Sequence, residues 1–523
     1  MSFFPFFFPC FGIVYTKFLA LLLNFRGTCK NAYFYTMRIV LIIILFCQTA
    51  YGQTIEWSNT RKLRGNSVYT HVIGQDASGI YLLRQKNRLF SKYVILEKYH
   101  HQLGYAFSRS LLLQKSRILN AEVNEHGVFL VLVRFNKSLG QNELLISFYD
   151  EQLNPGSFTQ KMIDKAPLAN YYDKGDFKLA VSKNRKYIAV LHSEMSEQKK
   201  RVMSLKLFTN DFQQISEKIV ELPFDYDQSA FHDFKLSNDL RSYFILEDVP
   251  KKNARKGMLR SSFSLFTYDS STDSLRDYAL SDTSHFLQSL KLNFDHLRST
   301  IGVSGFYSEE HAHKFSGIYT CEFEMSNPDN NRATYTPIPE EIVSTLIGQK
   351  KAERGDELES FALLRAVATN RNQLVLVAER NSVSSEEDVL IVNGTPQALA
   401  RNIYNFDDIL VVALDSNKEI TWHHVIQKNQ SSMNDGGYFG SIALAVTERE
   451  INILFNDNMR NSGNVMHYSI SSEGKLSDKV LLNSETEYVS IIPGESRQIS
   501  KNTMLIPTVK NKKFALLKLS YIP

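Results

Sequence analysis

The run Glu309–His313 contains the side chains whose types and spacing best suit metal binding. His311 and His313 are two residues apart, so on a β-strand both rings point to the same side of the sheet. Two imidazoles together with a carboxylate from Glu309 or Glu310 would suit a zinc ion. The alternative is a polar loop tip, because these residues alone do not complete a metal site. We therefore predict no metal and keep His311 and His313 as the candidate pair for one.

A second group of candidate residues precedes the predicted inner strands of a repeated unit. Its members are aromatic or imidazole rings and two aspartates that each follow such a ring in the sequence. They are Tyr171, Tyr172, Asp173, Phe231, His232, Asp233, His285, Tyr438 and Tyr488. Exposed rings of this kind stack on sugars or peptides. The alternative is that the rings fill the core between neighbouring units. If the same surface catalysed hydrolysis, Asp173 and Asp233 would be the general acid and base.

Motifs of the common enzyme and cofactor classes are absent from the sequence. The chain has no phosphate-binding loop, no Gly-x-Ser-x-Gly, no His-Glu-x-x-His and no zinc-deaminase pattern. Isolated serines, histidines and aspartates are plentiful, but nothing in the sequence places them together. We therefore predict that the protein needs no cofactor, and we favour binding over catalysis.

Repeated strand units must position the candidate residues. About eight units follow residue 60, each with an alternating strand, a tight polar turn, a more apolar strand, a variable loop and a third strand. Phe177–Leu191 and Phe234–Leu246 show the first two strands most clearly, with period-two alternation and many β-branched or aromatic residues. Such a repeat indicates a propeller or a solenoid. We predict an all-β fold, a β-propeller with eight blades, with seven blades as the alternative.

Two segments complete this prediction. The eighth unit lacks an outer strand, and Thr54–Trp57 would supply one and close the ring, which removes strand edges that invite aggregation. Residues 339–360 break the strand pattern between units five and six. Glu340 and Glu341 would lie in the first turn of a helix there, and lysines would lie in its last turn, as the helix dipole favours. We expect one short helical insertion.

The N-terminal region has the pattern of a targeting sequence. Residues 37–52 combine a methionine, one positive charge, an unbroken apolar run and a small-residue ending, the layout of a secretory signal peptide. We interpret residues 1–36 as a leader that was assigned in error, because the start was placed too early. The expected first residue is Met37. A membrane segment at Phe11–Leu23 is the alternative. Residues 53–523 then form a single propeller domain without a transmembrane span.

The composition changes once this region is removed. Residues 1–52 carry four basic and no acidic residues, which leaves 56 basic and 55 acidic side chains. A balanced charge gives no electrostatic reason to expect nucleic-acid binding. Only Cys321 remains of the four cysteines, so no internal disulfide can form. A large exported chain with one cysteine fits a bacterial periplasm or cell surface.

One stretch of the chain resembles a known group of proteins. Asp407–Val412, with the sequence Asp-Asp-Ile-Leu-Val-Val, is followed by Ile420–Trp422 and by Phe455–Asn458. This pattern is similar to that of uncharacterised repeat proteins exported by some bacteria, and it covers unit six and part of unit seven. The resemblance implies an exported, propeller-like repeat protein and carries no known activity.

These observations together predict a function. We expect an exported monomer that binds a glycan or protein partner at the bacterial cell envelope, without enzymatic activity. The alternative is a polysaccharide hydrolase or lyase that uses carboxylates on the same face of the propeller.

Overall fold

The structure, a computed structural model, describes most residues from 53 to 522. Outside the description are residues 1–52, 63–65, 89–90, 112, 114–115, 157–159, 168–176, 250–260, 281–283, 296–297, 312, 326–327, 393–394, 460–462, 488, 511–512 and 523. Nothing is said of the side chains of residues 66–70, 85–88, 91–93, 387–392, 395–399 and 484. Residues 54–521 form the compact unit described below. The predicted leader and signal peptide, residues 1–36 and 37–52, lie outside the described residues.

Nearly all regular structure is antiparallel β-strand. Two short strands come first, β1 (Gln53–Trp57) and β2 (Arg61–Lys62). Four sheets follow: β3 (Asn66–Gln75), β4 (Ile80–Arg88), β5 (Ser91–Tyr99) and β6 (Tyr105–Leu111) in sheet 1; β7 (Arg117–Asn124), β8 (Gly127–Asn136), β9 (Gln141–Tyr149) and β10 (Lys161–Pro167) in sheet 2; β11 (Lys178–Val181), β12 (Tyr187–Met195), β13 (Lys200–Thr209) and β14 (Gln214–Asp225) in sheet 3; β15 (Ser229–Leu236), β16 (Arg241–Asp248), β17 (Ser262–Asp269) and β18 (Ser274–Ala279) in sheet 4.

Four more sheets occupy the rest of the chain. They are β19 (Phe286–Asp295), β20 (Thr300–Ser308), β22 (Gly317–Glu324) and β23 (Asn331–Pro337) in sheet 5; β25 (Phe361–Ala368), β26 (Leu374–Val392), β27 (Thr395–Leu414), β28 (Ile420–Ile426) and β29 (Gln430–Met433) in sheet 6; β30 (Ala443–Val446), β31 (Glu450–Asn456), β32 (Val465–Ser471) and β33 (Leu476–Leu482) in sheet 7; β34 (Val489–Ile491), β35 (Arg497–Ser500), β36 (Thr503–Lys510) and β37 (Lys513–Tyr521) in sheet 8. A small pair, β21 (Lys314–Phe315) and β24 (Leu358–Glu359), links sheets 5 and 6.

The N-terminal strand completes sheet 8. The strand order there is β34, β36, β37 and β1, so β1 is the outer strand, as expected from the sequence. The Ser58 backbone N–H donates to the Leu516 carbonyl at 2.9 Å, and the Leu516 N–H donates to the Ser58 Oγ at 2.8 Å. The first and last described strands, β1 and β37, are therefore joined within one sheet.

Both faces of the central strands are apolar because each strand is buried between two neighbouring sheets. In β12, Ile188 and Val190 pack between sheets 2 and 3, whereas Ala189 and Leu191 pack between sheets 3 and 4. Successive side chains of a strand point to opposite faces, so an unbroken apolar run serves two interfaces at once. The same division recurs from sheet to sheet.

Eight apolar clusters join successive sheets within the described residues. The cluster that joins sheet 8 to sheet 1 contains Phe514 and Leu516 from β37 and Val72, Ile80 and Leu82 from sheet 1. Sheet 1 thus packs on both sheet 2 and sheet 8, and the sequence of interfaces returns to its start. A ring of four-stranded sheets of this kind is a β-propeller, and that prediction is confirmed. The eight described sheets favour eight blades over seven, and the blade number stays a prediction.

The strand order defines two faces of the ring. First strands of neighbouring sheets contact each other, as β11 does β15 and β15 does β19, so they line the centre. Because the strands are antiparallel, the start of each first strand and the connection from second to third strand lie on the same side. We call this side the upper face. The turns between first and second strands lie on the lower face.

The predicted helical insertion is present. It contains α1 (Glu340–Ile347) and α2 (Gln349–Ala352), and a third short helix, α3 (Ser484–Glu487), precedes sheet 8. Ile342 and Leu346 are buried in the cluster between sheets 5 and 6, so α1 packs on the ring. Across the described part of the chain, no helix is both long enough and apolar enough to cross a membrane.

Candidate functional site

A long hairpin extends from sheet 6 on the upper face. β25 pairs with β26 only from Leu374 to Arg380, whereas β26 and β27 remain paired as far as Val392 and Thr395. Twelve consecutive residue pairs lie beyond the last residue pair of β25 and β26, from Asn381 paired with Phe406 outwards. At about 3.3 Å per residue the hairpin is about 40 Å long. We call residues 381–406 the arm; the sequence analysis did not predict it.

The arm offers strand edges to the solvent. Among the described residues, β26 beyond Arg380 pairs on one side only, with β27. On the other side of β27, β29 pairs only with Ile403–Phe406. Residues 382–386 are exposed, and 65% of the Val383 side chain is accessible. An exposed strand edge presents backbone donors and acceptors to which another chain can pair.

A buried ion pair holds the base of the arm. A bulge between Glu379 and Asn381 separates the arm from the sheet. The side chains of Glu379 and Lys428 are both fully buried, with Nζ 2.9 Å from Oε1. Lys428 Nζ also donates to the Phe406 carbonyl at 2.8 Å, and Ser441 Oγ donates to Glu379 Oε2 at 2.6 Å. Burial lowers the pKa of Lys428, against the opposing attraction of Glu379.

Further contacts tie this base to sheets 7 and 8. Gln430 Nε2 donates to the Asn456 carbonyl at 2.5 Å, and Asn456 Nδ2 donates to the Ile491 carbonyl at 2.9 Å. The loop before β30 packs on the Phe406 ring, where a Cβ on Gly437 would lie 2.6 Å from a ring carbon. Gly437 also has φ +71°, a conformation that favours glycine. The base is therefore fixed by three sheets, while residues 382–386 of the arm are exposed.

Four of the predicted site residues cannot be placed. Tyr171, Tyr172, Asp173 and Tyr488 lie outside the described residues. Their part in a binding face stays a prediction.

Phe231, His232 and Asp233 lie together on β15 at the upper face of sheet 4. Phe231 packs against the cluster between sheets 3 and 4. His232 Nε2 is 2.6 Å from Glu247 Oε2, and 25% and 20% of these side chains are accessible. Burial raises the pKa of the Glu247 carboxyl, but the hydrogen bond with His232 outweighs it, so the pKa is lowered. A carboxyl with a lowered pKa is poorly suited to act as a general acid, which must stay protonated.

Asp233 bridges two inner strands. One carboxylate oxygen accepts the Phe234 N–H at 2.9 Å, and the other accepts the Leu292 N–H of sheet 5 at 2.9 Å. Ser289 makes the equivalent contact one sheet later, where its Oγ accepts the Leu363 N–H at 2.8 Å. Both residues lie at a bulge of their inner strand. This geometry gives Asp233 a structural role and does not favour it as an acid or base.

His285 and Tyr438 are half-buried among other rings. His285 stacks on Tyr335 with ring centroids 4.0 Å apart. Tyr438 lies edge-on to Phe439 at 5.0 Å, and both rings pack against the cluster between sheets 8 and 1. The two interpretations of these rings predict different effects of a substitution on stability. Loss of a ring that packs in the core lowers the free energy of unfolding, whereas loss of an exposed stacking ring does not.

We expect Tyr438→Ala to lower the free energy of unfolding by about 2 kcal/mol, less than the roughly 3–5 kcal/mol that a fully buried ring loses. The reason is that the half-buried ring fills space beside the cluster between sheets 8 and 1. Urea denaturation measures this. An unchanged stability would show that the ring is not part of the core.

His311, one of the two candidate metal ligands, pairs with a carboxylate instead. His311 Nδ1 is 2.8 Å from Glu357 Oε2, and Ser308 Oγ donates to the other oxygen of Glu357 at 2.7 Å. Among the residues that the structure describes, no three His, Cys, Asp or Glu side chains gather as a metal site would need. Within the described part of the chain, His313 forms no hydrogen bond or ion pair with His311 or Glu357.

A buried polar cluster between sheets 2 and 3 was not predicted. His192 Nδ1 is 2.7 Å from Asp164 Oδ2, its Nε2 is 3.0 Å from Glu194 Oε1, and Lys206 Nζ is 2.7 Å from Asp164 Oδ1. Burial by itself lowers the pKa of His192, but the hydrogen bonds with Asp164 and Glu194 outweigh it and raise the pKa to about 9. The ring is therefore a buried cation at neutral pH. Asp164 and His192 are 28 positions apart, and no local spacing in the sequence indicates that they are in contact.

Comparisons with known proteins find solved structures at low identity and name no family for this chain. No family model matches the chain, and no curated protein matches it significantly. Among solved structures, the WD40 domain of SCAP from fission yeast is 8% identical, with 90% of this chain and 98% of that chain covered and a TM-score of 0.38. The β-propeller domain of the Trilobed protease from Pyrococcus furiosus is 10% identical, with 82% and 96% covered and a TM-score of 0.35. A member of the DUF4221 family from Bacteroides vulgatus is 10% identical, with 82% and 99% covered and a TM-score of 0.30. The propeller assignment rests on the sheets described above.

Proposed function

We propose that this protein binds a protein partner on its upper face and that the arm makes the main contact. A propeller gathers the connections of many sheets on one face, an architecture that suits binding or scaffolding. The observation that carries the proposal is the arm itself, with twelve residue pairs beyond the end of β25 and exposed residues 382–386. An isolated two-stranded ribbon is at best marginally stable in water. A partner that adds a strand would stabilise it.

The same observation favours a protein over a glycan as the partner. Open strand edges recognise an extended peptide through backbone hydrogen bonds, and alternate side chains then give specificity. The rings predicted to stack on sugar are occupied by packing instead: Phe231 by the core between sheets 3 and 4, and His285 by Tyr335. A glycan ligand on the upper face has less support.

A test of the arm uses two variants with a matched control. In the first variant, residues 386–401 are replaced by Asn-Gly, which joins the paired residues Ser385 and Asn402 through a two-residue hairpin turn. The second is Val383→Lys on the arm, and its control is Ile219→Lys on β14. These two side chains are 65% and 62% accessible.

We expect both arm variants to keep their stability and to lose capture of the partner from an envelope extract of the native host. The loss should be about tenfold or more, which corresponds to about 1.4 kcal/mol or more of binding energy. Quantitative mass spectrometry after cross-linking measures capture. Ile219→Lys should capture as the unmodified protein does. Equal capture by the shortened variant would exclude the arm as the contact.

Export to the cell envelope belongs to the same proposal. It is supported by the signal-like layout of residues 37–52. We expect protein isolated from the native host to begin near Gln53, because a signal peptidase would cleave after the small residue Gly52. N-terminal sequencing decides this. Recovery of an uncleaved chain from the cytosolic fraction would contradict export.

A hydrolase or lyase acting on polysaccharide is the second candidate. The one observation that favours it is the partly exposed pair of His232 and Glu247 on the upper face. Against it, both oxygens of Asp233 accept backbone N–H groups. Release of sugar fragments from a polysaccharide panel, abolished by Glu247→Gln, would establish this activity in place of the binding function.

A further inference from the structure

Three successive inner strands each carry a cation without a partner in the described part of the chain. The cations are Lys235 on β15, Lys291 on β19 and Arg365 on β25, in sheets 4, 5 and 6. None of the three forms an ion pair or a side-chain hydrogen bond with another described residue. The inner strands line the centre of the ring, and Arg365 is exposed in the middle of its strand. Solvent therefore reaches Arg365 from the central channel, the space that the inner strands enclose.

A hydrogen bond between two inner strands brings two of these cations near each other. The Leu363 N–H of β25 donates to Ser289 Oγ of β19 at 2.8 Å. Lys291 follows Ser289 by two residues, and Arg365 follows Leu363 by two residues. The two cations thus lie on neighbouring strands, at the same number of residues from one shared contact.

The acids of these strands do not neutralise this pair. Asp233 of β15 accepts the Leu292 N–H, so its charge lies at the preceding junction, between β15 and β19. At the junction of β19 and β25 the same role is filled by Ser289, whose hydroxyl carries no charge. The other acid of β19, Asp295, is at the end of that strand, 3.6 Å from Arg298. β25 itself contains no acidic residue.

Ser289 is held in a conformation that is uncommon inside a strand. Its φ is +55°, in the left-handed region, which residues other than glycine seldom adopt. It lies in the bulge of β19 between Gln288 and Lys291. Its Oγ accepts the Leu363 N–H, and its own O–H donates to no other described residue. Strained backbone of this kind is often found at binding sites.

Unpaired cations in a channel attract anions. Walls of low dielectric constant concentrate the field of the charges that line them and raise the local concentration of counter-ions. Elsewhere on the inner strands, Glu122 and Arg497 satisfy each other at 2.7 Å. Lys291 and Arg365 have no such carboxylate, so each raises the energy of the other until an anion binds.

We propose that Ser289, Lys291 and Arg365 bind a compact tetrahedral dianion, a phosphoryl or a sulfuryl group, in the central channel beside β25. The two positive charges match the two charges of the ligand. The guanidinium provides a planar fork for two of its oxygens, the ammonium a point charge and the serine O–H a further donor. Lys235, the last residue but one of β15, lies nearer the lower face and attracts the anion towards the channel.

Isothermal titration calorimetry on the purified protein, at constant ionic strength, tests this site. We expect saturable binding of methyl phosphate and of sulfate, and the tighter of the two identifies the group for which the site is built. Dimethyl phosphate keeps the tetrahedral shape but has one charge, and it should bind at least about tenfold more weakly, as should acetate. Lys291→Gln and Arg365→Gln should each weaken binding of the dianions about tenfold or more.

Two exposed cations on outer strands provide matched controls. Arg332→Gln on β23 and Lys479→Gln on β33 remove the same charge and should leave dianion binding unchanged. The variant with the shortened arm should also bind the dianions, so this site and the proposed function can fail separately.

Stability provides a second readout on the channel variants. In dilute salt, Lys291→Gln and Arg365→Gln should unfold at the same urea concentration as the unmodified protein or at a higher one, because each removes a repelled charge. A lower urea midpoint would show that these cations stabilise the fold without a ligand. The proposal is overturned by that result, by the absence of saturable binding, by equal binding of dimethyl phosphate, or by an equal loss of binding in the two controls.

Discussion

Replacing Lys428 with methionine should lower the free energy of unfolding by about 3–5 kcal/mol. The variant leaves the Glu379 carboxylate fully buried without its cation, and Oε1 of that carboxylate has no aligned hydrogen-bond donor in the described residues. The base of the arm should loosen at the same time, because Lys428 also donates to the Phe406 carbonyl. Equilibrium urea denaturation measures the stability.

The double variant Lys428→Met with Glu379→Gln is the control. It removes both charges and keeps an acceptor for Ser441 Oγ, which donates to Glu379 in the parent protein. Most of the lost stability should return, since a buried ion pair replaced as a unit is often neutral. If the double variant were as unstable as the single one, the buried charge would not be the cause.

The free energy of unfolding should fall by about 3 kcal/mol as the pH rises from about 6.5 to above 9. The folded-state pKa of His192 is raised from 6.5 to about 9. A group of this kind contributes its full stability below its unfolded pKa and loses it as the pH rises through its folded pKa. His192→Gln should remove this slope and lower stability at pH 6.5. Chemical denaturation across this pH range provides the measurement.

His467 is the matched control because it is equally buried and shifted in the opposite direction. Burial lowers its pKa from 6.5 to about 4, and its Nε2 is 2.8 Å from Asn452 Oδ1. Its contribution changes as the pH falls below 6.5, so His467→Gln should leave the slope above pH 6.5 intact. A slope that disappears in the His467 variant and persists in the His192 variant would contradict this assignment.

The ring could be predicted from the sequence because its signals are local. Alternation in Phe177–Leu191 placed β11 and β12, and the acidic start and basic end of residues 339–351 placed α1 and α2. The outer strand of sheet 8 required one further step, the recognition that a unit without an outer strand would be completed by the first strand of the domain. Each of these inferences uses spacing that is visible within a few residues.

The arm and its base could not be predicted in the same way. Residues 382–386 are exposed in the structure and all but Val383 are polar, so they lack the buried alternation that marks a blade strand. The available signal was Asn393-Gly394, the dipeptide typical of two-residue hairpin turns, between two strand-like segments. The ion pair at the base joins residues 49 positions apart, and only the fold brings them together.

The site residues show why aromatic rings are difficult to assign. Rings before an inner strand suit both a binding face and the core, and burial depends on neighbours that the sequence does not show. Tyr438 packs against sheets that begin and end more than 50 residues away. The position of Asp233 before an inner strand suggests a catalytic carboxylate. In the structure, the bulge of β15 directs this carboxylate to the Leu292 N–H.

Hydrogen exchange on the complex with the captured partner tests the central claim, that the arm binds a protein, most directly. If the partner adds a strand to the arm, the backbone amides of residues 382–386 should exchange at least about tenfold more slowly in the complex, because an exposed edge becomes paired. The amides of Thr447–Glu450 on the lower face should be unaffected. Protection on the lower face, with the arm exchanging as fast as in the free protein, would contradict the account.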